Sequence, residues 1–245
     1  MSAPLLTGSV IIAFLVTLMA PAAAENPVHT YTIDGEDSFQ IAGQPVRTDI
    51  VYAGTQRLAI ERQGKITRFT ATVAYDRREG REATHATGAF TTRILANGEQ
   101  HDESDGDPDY LTVLNQPFSI ELDGPTMRDL RSLVRAVPFD FPSPMTGAPL
   151  HGSLRRLPDG MLNGRRVLGI AFAARGPLNG SLPDRPDMAL SGTITMNGTA
   201  YYAYADDLLL ALDATLQIVG RVANSGQSGP VTIVYKRTIR PQTVP

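Results

Sequence analysis

The chain has 245 residues, with 22 Lys and Arg against 25 Asp and Glu for a formal net charge of −3, and it contains neither cysteine nor tryptophan. So even a balance gives no global field that would gather nucleic acid or anionic lipid. The missing cysteines exclude disulfides, a thiol nucleophile and a lipidated cysteine at a cleavage site.

The first 24 residues carry no charged side chain, and Val10 to Ala20 run almost unbroken through Ile, Ala, Phe, Leu, Val and Met. That is the pattern of an export signal, and it breaks at Pro21, short of the roughly 20 apolar residues that span a bilayer. Ala22, Ala23 and Ala24 supply the small residues a signal peptidase reads, which makes Glu25 the expected mature start. No Lys or Arg precedes the apolar run, so an uncleaved anchor is the alternative. Residues 1–24 are thus read as a signal peptide and 25–245 as one β-rich domain, long enough to bury roughly 70% of its unfolded surface.

Past the signal the chain reads as strands separated by Gly, Pro, Asn and Asp. From Phe69 the side chains alternate, with Phe69, Ala71, Val73 and Tyr75 on one face and Thr70, Thr72 and Ala74 on the other, the period of a half-buried strand. Comparable runs occur at Val28 to Ile33, Val46 to Tyr52, Leu58 to Glu61, Phe90 to Leu95, Leu111 to Leu114 and Phe118 to Leu122. The second half continues at Leu150 to Leu157, Val167 to Ala174, Leu190 to Met196, Ala200 to Tyr204, Leu208 to Val222 and Val231 to Ile239. Asn97-Gly98 and Asn197-Gly198 read as tight hairpin turns, and Pro158-Asp159-Gly160 as a third turn.

One segment departs from the β pattern. Met127, Leu130, Leu133, Val134 and Val137 recur at helical spacing, with Arg128, Arg131 and Arg135 on another face, so a helix is expected from Thr126 to Val137, capped by Thr126 and ended by Pro138. The arginine row is read as a solvated face, with an anionic head group or acidic partner as the functional alternative. Residues 138–149, PFDFPSPMTGAP, are expected to form a loop that packs Phe139 and Phe141. A second Gly/Pro-rich connection is expected from Gly176 to Pro186.

The segment Ala200-Tyr201-Tyr202-Ala203-Tyr204, the turn Ala205-Asp206-Asp207 and Leu208-Leu209-Leu210 form an aromatic strand, a polar turn and an aliphatic strand. In layout this hairpin resembles those of periplasmic carriers with a curved antiparallel sheet around a helix, the LolA-type lipoprotein carriers. The likeness is confined to the hairpin and transfers no functional residue.

Chemistry-bearing motifs are sparse. His101-Asp102-Glu103-Ser104-Asp105-Gly106-Asp107-Pro108-Asp109 resembles a calcium loop in its alternating oxygen donors, but His101 and Thr112 occupy the first and closing ligand positions of that template, and a solvated loop is expected instead. The four histidines, His29, His85, His101 and His151, lack metal-ligand spacing. Neither a Gly-x-Ser-x-Gly elbow nor a Ser-x-x-Lys motif is present. The sequons at Asn179 and Asn197 are read as coincidental. Arg155-Arg156 and Arg165-Arg166 flank the Pro158 turn, and a hairpin that brought them together would place four guanidinium groups at one end, a candidate anion site.

The expected fold is mostly β with one helix, an antiparallel curved sheet (half-barrel) or a two-layer α+β arrangement. The expected function is that of an exported, non-enzymatic envelope protein, periplasmic or extracellular. It would bind a lipid, another hydrophobic small molecule or a protein partner between sheet and helix, at a site lined by Met127, Leu130, Phe139 and Phe141. No cofactor, metal or nucleic-acid partner is expected, and no transmembrane span once the signal is removed. The alternative is a secreted hydrolase or other enzyme with dispersed residues, which a polar cleft holding a histidine beside a carboxylate would favour.

Overall fold

Period-two alternation governs nearly all of the computed structural model, which describes residues 28–41, 47–63, 66–94, 100–104, 124–143, 148–182, 185–224 and 227–242. The elements in chain order are β1 (Val28–Ile41), β2 (Thr48–Gln63), β3 (Ile66–Glu79), β4 (Glu82–Ile94), β5 (Gln100–Ser104), α1 (Gly124–Ser132), β6 (Val137–Pro142), β7 (Pro149–Arg156), β8 (Gly160–Leu162), β9 (Arg165–Leu182), β10 (Arg185–Ala203), β11 (Leu209–Asn224) and β12 (Gln227–Pro241). All strands join one antiparallel sheet in the order β5-β4-β3-β2-β1-β12-β11-β10-β9-β7-β6, with β8 paired to β9. The two ends of this order do not pair, so the sheet is open. The fold class read from the sequence, mostly β with one helix, is that of the described residues.

The first and last strands meet in the middle of the sheet, from Tyr31 opposite Pro241 to Ile41 opposite Val231. On either side of this seam the same phase of each strand is buried: Ile33, Tyr52 and Tyr75 in one half, and Ile170, Met196, Ile218 and Ile233 in the other. These side chains form one hydrophobic cluster that also takes in Leu130 of α1. The nine-residue helix packs on this apolar face through Leu130, as elements of a domain bury their apolar faces against one another. The outer face alternates with it and is polar, carrying Thr55, Arg57, Thr72, Thr199, Asp213 and Lys236 beside shallow open depressions.

The structure differs from the sequence reading in five places. Asn197-Gly198 is not a turn. Both residues lie inside β10, Gly198 between Phe172 and Ala214, and a Cβ there would come within 2.6 Å of the Phe172 ring and 2.0 Å of the Asp213 carbonyl oxygen, so the glycine is set by close packing. The hairpin Asn-Gly pair is Asn163-Gly164, with φ of 50° and 73°, which joins Leu162 to its ladder partner Arg165 in the geometry such two-residue turns require. Pro158 and Asp159 instead mark the break between β7 and β8.

The helix stops at Ser132 rather than Val137. The Arg156 guanidinium takes the Arg131 carbonyl, satisfying one of the orphan carbonyls of a helix end, and Val137 is drawn into β6 opposite Leu154. Much of the expected Pro-rich loop 138–149 is therefore a hairpin, paired as far as Pro142 opposite Pro149. Its prolines are tolerated because β6 is an edge strand. Finally, β9 runs straight through Gly176 and Pro177. Its ladder with β7 ends at Arg175, so Pro177 has a strand partner on one side only, through Thr193 of β10.

The expected signal peptide, the turn at Asn97-Gly98, the strands at Leu111 to Leu114 and Phe118 to Leu122, and residues 105–109 of the acidic run lie outside the described residues. Within them, no helix is long and apolar enough to cross a membrane.

Candidate functional site

Two polar assemblies stand out against the apolar inner face. The first is at the end of the sheet where α1, the β7–β8 break and the β10–β11 turn converge. Asp159 is its hub: its carboxylate accepts from Arg156 at 2.6 Å, Arg166 at 2.7 Å and the Tyr204 hydroxyl at 2.9 and 3.0 Å. Hydrogen bonds from the two guanidinium groups, Arg156 first, hold this carboxyl at about 2, below its ordinary 3.8. The guanidinium carbons of Arg131 and Arg166 each lie 4.5 Å from the Tyr204 ring centroid. Arg131 also donates to the Tyr204 carbonyl at 3.0 Å and to Asp207 at 2.8 Å, and Arg165 forms a bidentate pair with Asp206 at 2.7 Å. Burial and the Asp159 carboxylate both raise the Tyr204 phenol above its ordinary value, so it stays a neutral donor.

Of the four arginines read as an anion site, the structure brings Arg156, Arg165 and Arg166 into this assembly and leaves Arg155 exposed outside it. Each of the three is already paired with a carboxylate of the chain itself. The arrangement is a clamp: it ties α1 to the sheet through charge-assisted hydrogen bonds and two cation–π contacts. The helical arginine row is divided by it, since Arg131 is drawn in while Arg128 and Arg135 remain exposed.

The second assembly lies inside the sheet at the seam. Arg237 of β12 and Asp37 of β1 form a bidentate pair with side chains 0% and 1% exposed. The Arg237 guanidinium lies 4.9 Å from the Tyr52 ring centroid, and Gly35 leaves it room, because a Cβ at that position would meet it at 3.0 Å. Burial pushes the Asp37 carboxyl above its ordinary value, against the pull of its hydrogen bonds to Arg237 and Tyr52. Arg77 adds a bond to Glu79 at 2.8 Å, and the ladder sets Tyr52 opposite both Gly35 and Arg77. Sequence reasoning missed this pair. Its signal was a charge in the inward phase of an otherwise apolar strand, Asp37 after Tyr31 and Ile33, and Arg237 between Tyr235 and Ile239.

The residues expected to line an apolar site separate. Leu130 is 7% exposed and part of the core, and Phe139 is 45% exposed on the edge strand; the side chains of Met127 and Phe141 lie outside the described residues. The histidine–carboxylate contacts found are His85 with Asp76 at 3.0 Å and His151 with Asp140 at 2.9 Å. Each joins residues directly opposite on neighbouring strands and is largely exposed, at 65% and 74% for one pair and 73% and 63% for the other. They are cross-strand surface pairs, not cleft groups. Among the described residues no three His, Asp or Glu side chains are grouped to hold a metal ion.

An open antiparallel sheet with an apolar inner face and a clamped short helix is the class that fold and site define. No protein-family model matches the chain, and no curated protein is significantly similar to it.

Proposed function

We propose that this chain is an exported, non-enzymatic envelope protein that takes up an apolar ligand, such as a lipid chain, against the concave face of its sheet beneath α1. The observation that carries this reading is the open sheet: an apolar inner face continuous from β3 to β9, onto which the short helix α1 packs Leu130 and at whose rim it is held by ionic and cation–π contacts. Displacing this helix would uncover the apolar face around Leu130, and concave apolar surfaces with few polar groups are where small apolar ligands bind. Export is supported by the apolar, uncharged segment before Glu25.

Titrating the mature chain with cis-parinaric acid tests the proposal. A saturable fluorescence rise that palmitate displaces is expected, and a linear, unsaturated response from folded protein would overturn it. Amino-terminal sequencing of the exported product is expected to begin at Glu25; a start at Met1 or Ser2 would overturn the processing step.

A further inference from the structure

Charge is unevenly distributed along this nearly balanced chain. Between Gly124 and Arg166 stand seven arginines against three aspartates, in a protein of net charge −3. Asp159 of this segment and Asp206 and Asp207 of the facing turn pair with Arg131, Arg156, Arg165 and Arg166. Arg128, Arg135 and Arg155 are exposed and have no carboxylate partner among the described residues.

The two most exposed large apolar side chains of the described chain stand at the same end, Val134 at 97% and Met161 at 67%. Val134 follows α1 three residues after Arg131, and Met161 is directly opposite Arg166 in the β8–β9 ladder. Since the guanidinium groups of Arg131 and Arg166 share the Tyr204 ring, the two apolar side chains belong to one end of the molecule. Phe139, 45% exposed on the edge strand β6, lies next along the chain.

A single exposed Val or Met needs no explanation, and neither does a row of solvated arginines. Their coincidence is the pattern of a peripheral membrane surface, with apolar tips that enter the acyl boundary and arginines that sit at the level of the phosphates. A protein partner would need a flat, contiguous patch of about 800 Å² on each side. Val134 in a bend and Met161 on a three-residue strand are instead separate tips, which a deformable lipid interface accommodates.

We propose that the α1–β8 end of the molecule docks on the surface of an anionic phospholipid bilayer, with Val134 and Met161 inserted and Arg128, Arg135 and Arg155 on the head-group phosphates. This does not depend on the carrier reading, because a chain that only docks would bind vesicles without taking up parinarate.

The test is flotation of the mature chain with vesicles of phosphatidylcholine alone and of phosphatidylcholine with phosphatidylglycerol, at low and high salt. Binding to the phosphatidylglycerol vesicles is expected, weakened by salt and absent with phosphatidylcholine. Reversing the three free charges with Arg128→Glu, Arg135→Glu and Arg155→Glu should lower the partition by a factor of about 100 or more. Val134→Asp with Met161→Asp should lower it while leaving the circular dichroism melt unchanged, since all five positions are exposed. Wild-type protein that stays off anionic vesicles, binds both compositions equally, or binds no better than folded variants would overturn the proposal. An acidic protein captured through the three arginines with no vesicle binding would overturn it in favour of a protein partner.

Discussion

Arg237 and Asp37 place opposite charges where the first and last strands meet, in the inward phase that Tyr31 and Ile33 share on one strand and Tyr235 and Ile239 on the other. Losing one member leaves the other buried and unpaired, so Arg237→Met or Asp37→Leu alone should cost about 3 to 5 kcal/mol, whereas the double variant should recover much of that loss. Urea melts of the three proteins measure it; single variants no less stable than the double would show that the pair is not coupled. Asp159 gives a prediction in pH. Its carboxyl is held at about 2 in the folded chain against an ordinary 3.8, so between those values the unfolded chain binds more protons. Its contribution is therefore complete above about pH 4 and lost as the pH falls through about 2. The melting temperatures of wild type and Asp159→Asn should differ at neutral pH and converge towards pH 2; a gap that persisted there would exclude the linkage.

Helix α1 shows what sequence could and could not convey about an element. The spacing of Leu130 and Leu133 placed an apolar stripe on the sheet, and Leu130 is indeed in the core with Leu133 packed against it. The helix's end was not legible, because Val134 and Val137 continue the spacing and the group that stops the helix, Arg156, is 25 residues away from the carbonyl it takes. The Pro-rich hairpin was hidden similarly, since only the sheet order reveals that β6 is an edge where proline costs no ladder bond. The clamp was half visible: paired arginines were on view, but their partner Tyr204 comes from a distant turn. A graded outcome follows. Leu130→Asp should be the most damaging, at no less than the roughly 2 to 5 kcal/mol of a core truncation. Arg131→Asp should come next, because it removes the bonds to Tyr204 and Asp207 and its contact with the Tyr204 ring, and exposed Arg128→Asp should stay within roughly half a kcal/mol. Chemical denaturation gives the order; if Arg131→Asp and Arg128→Asp were equal, the clamp would contribute nothing to docking the helix.

At the scale of the molecule, the strands fall into two runs of near neighbours, β1 to β5 and β6 to β11, and β12 is the strand that joins them, paired to β1 on one side and β11 on the other. Alternation predicted that strands exist, but not that the last would close onto the first, since pairing partners in a sheet are not written into any one strand. The join has no break in register: Ile33, Ile239 and Leu212 are directly opposite in succession, all are buried, and all lie in the same cluster. Neither run can keep its inner face covered without the other, so the described sheet should unfold as one cooperative unit. Calorimetric and van't Hoff enthalpies should agree, and tyrosine fluorescence should melt together with the far-ultraviolet signal. Ile239→Ala, at the join, should shift that single transition downward as a whole, by about 2 to 5 kcal/mol. Two separated transitions, with Ile239→Ala moving only one, would mean that the runs are independent units and that the seam is a contact between domains, not the middle of one.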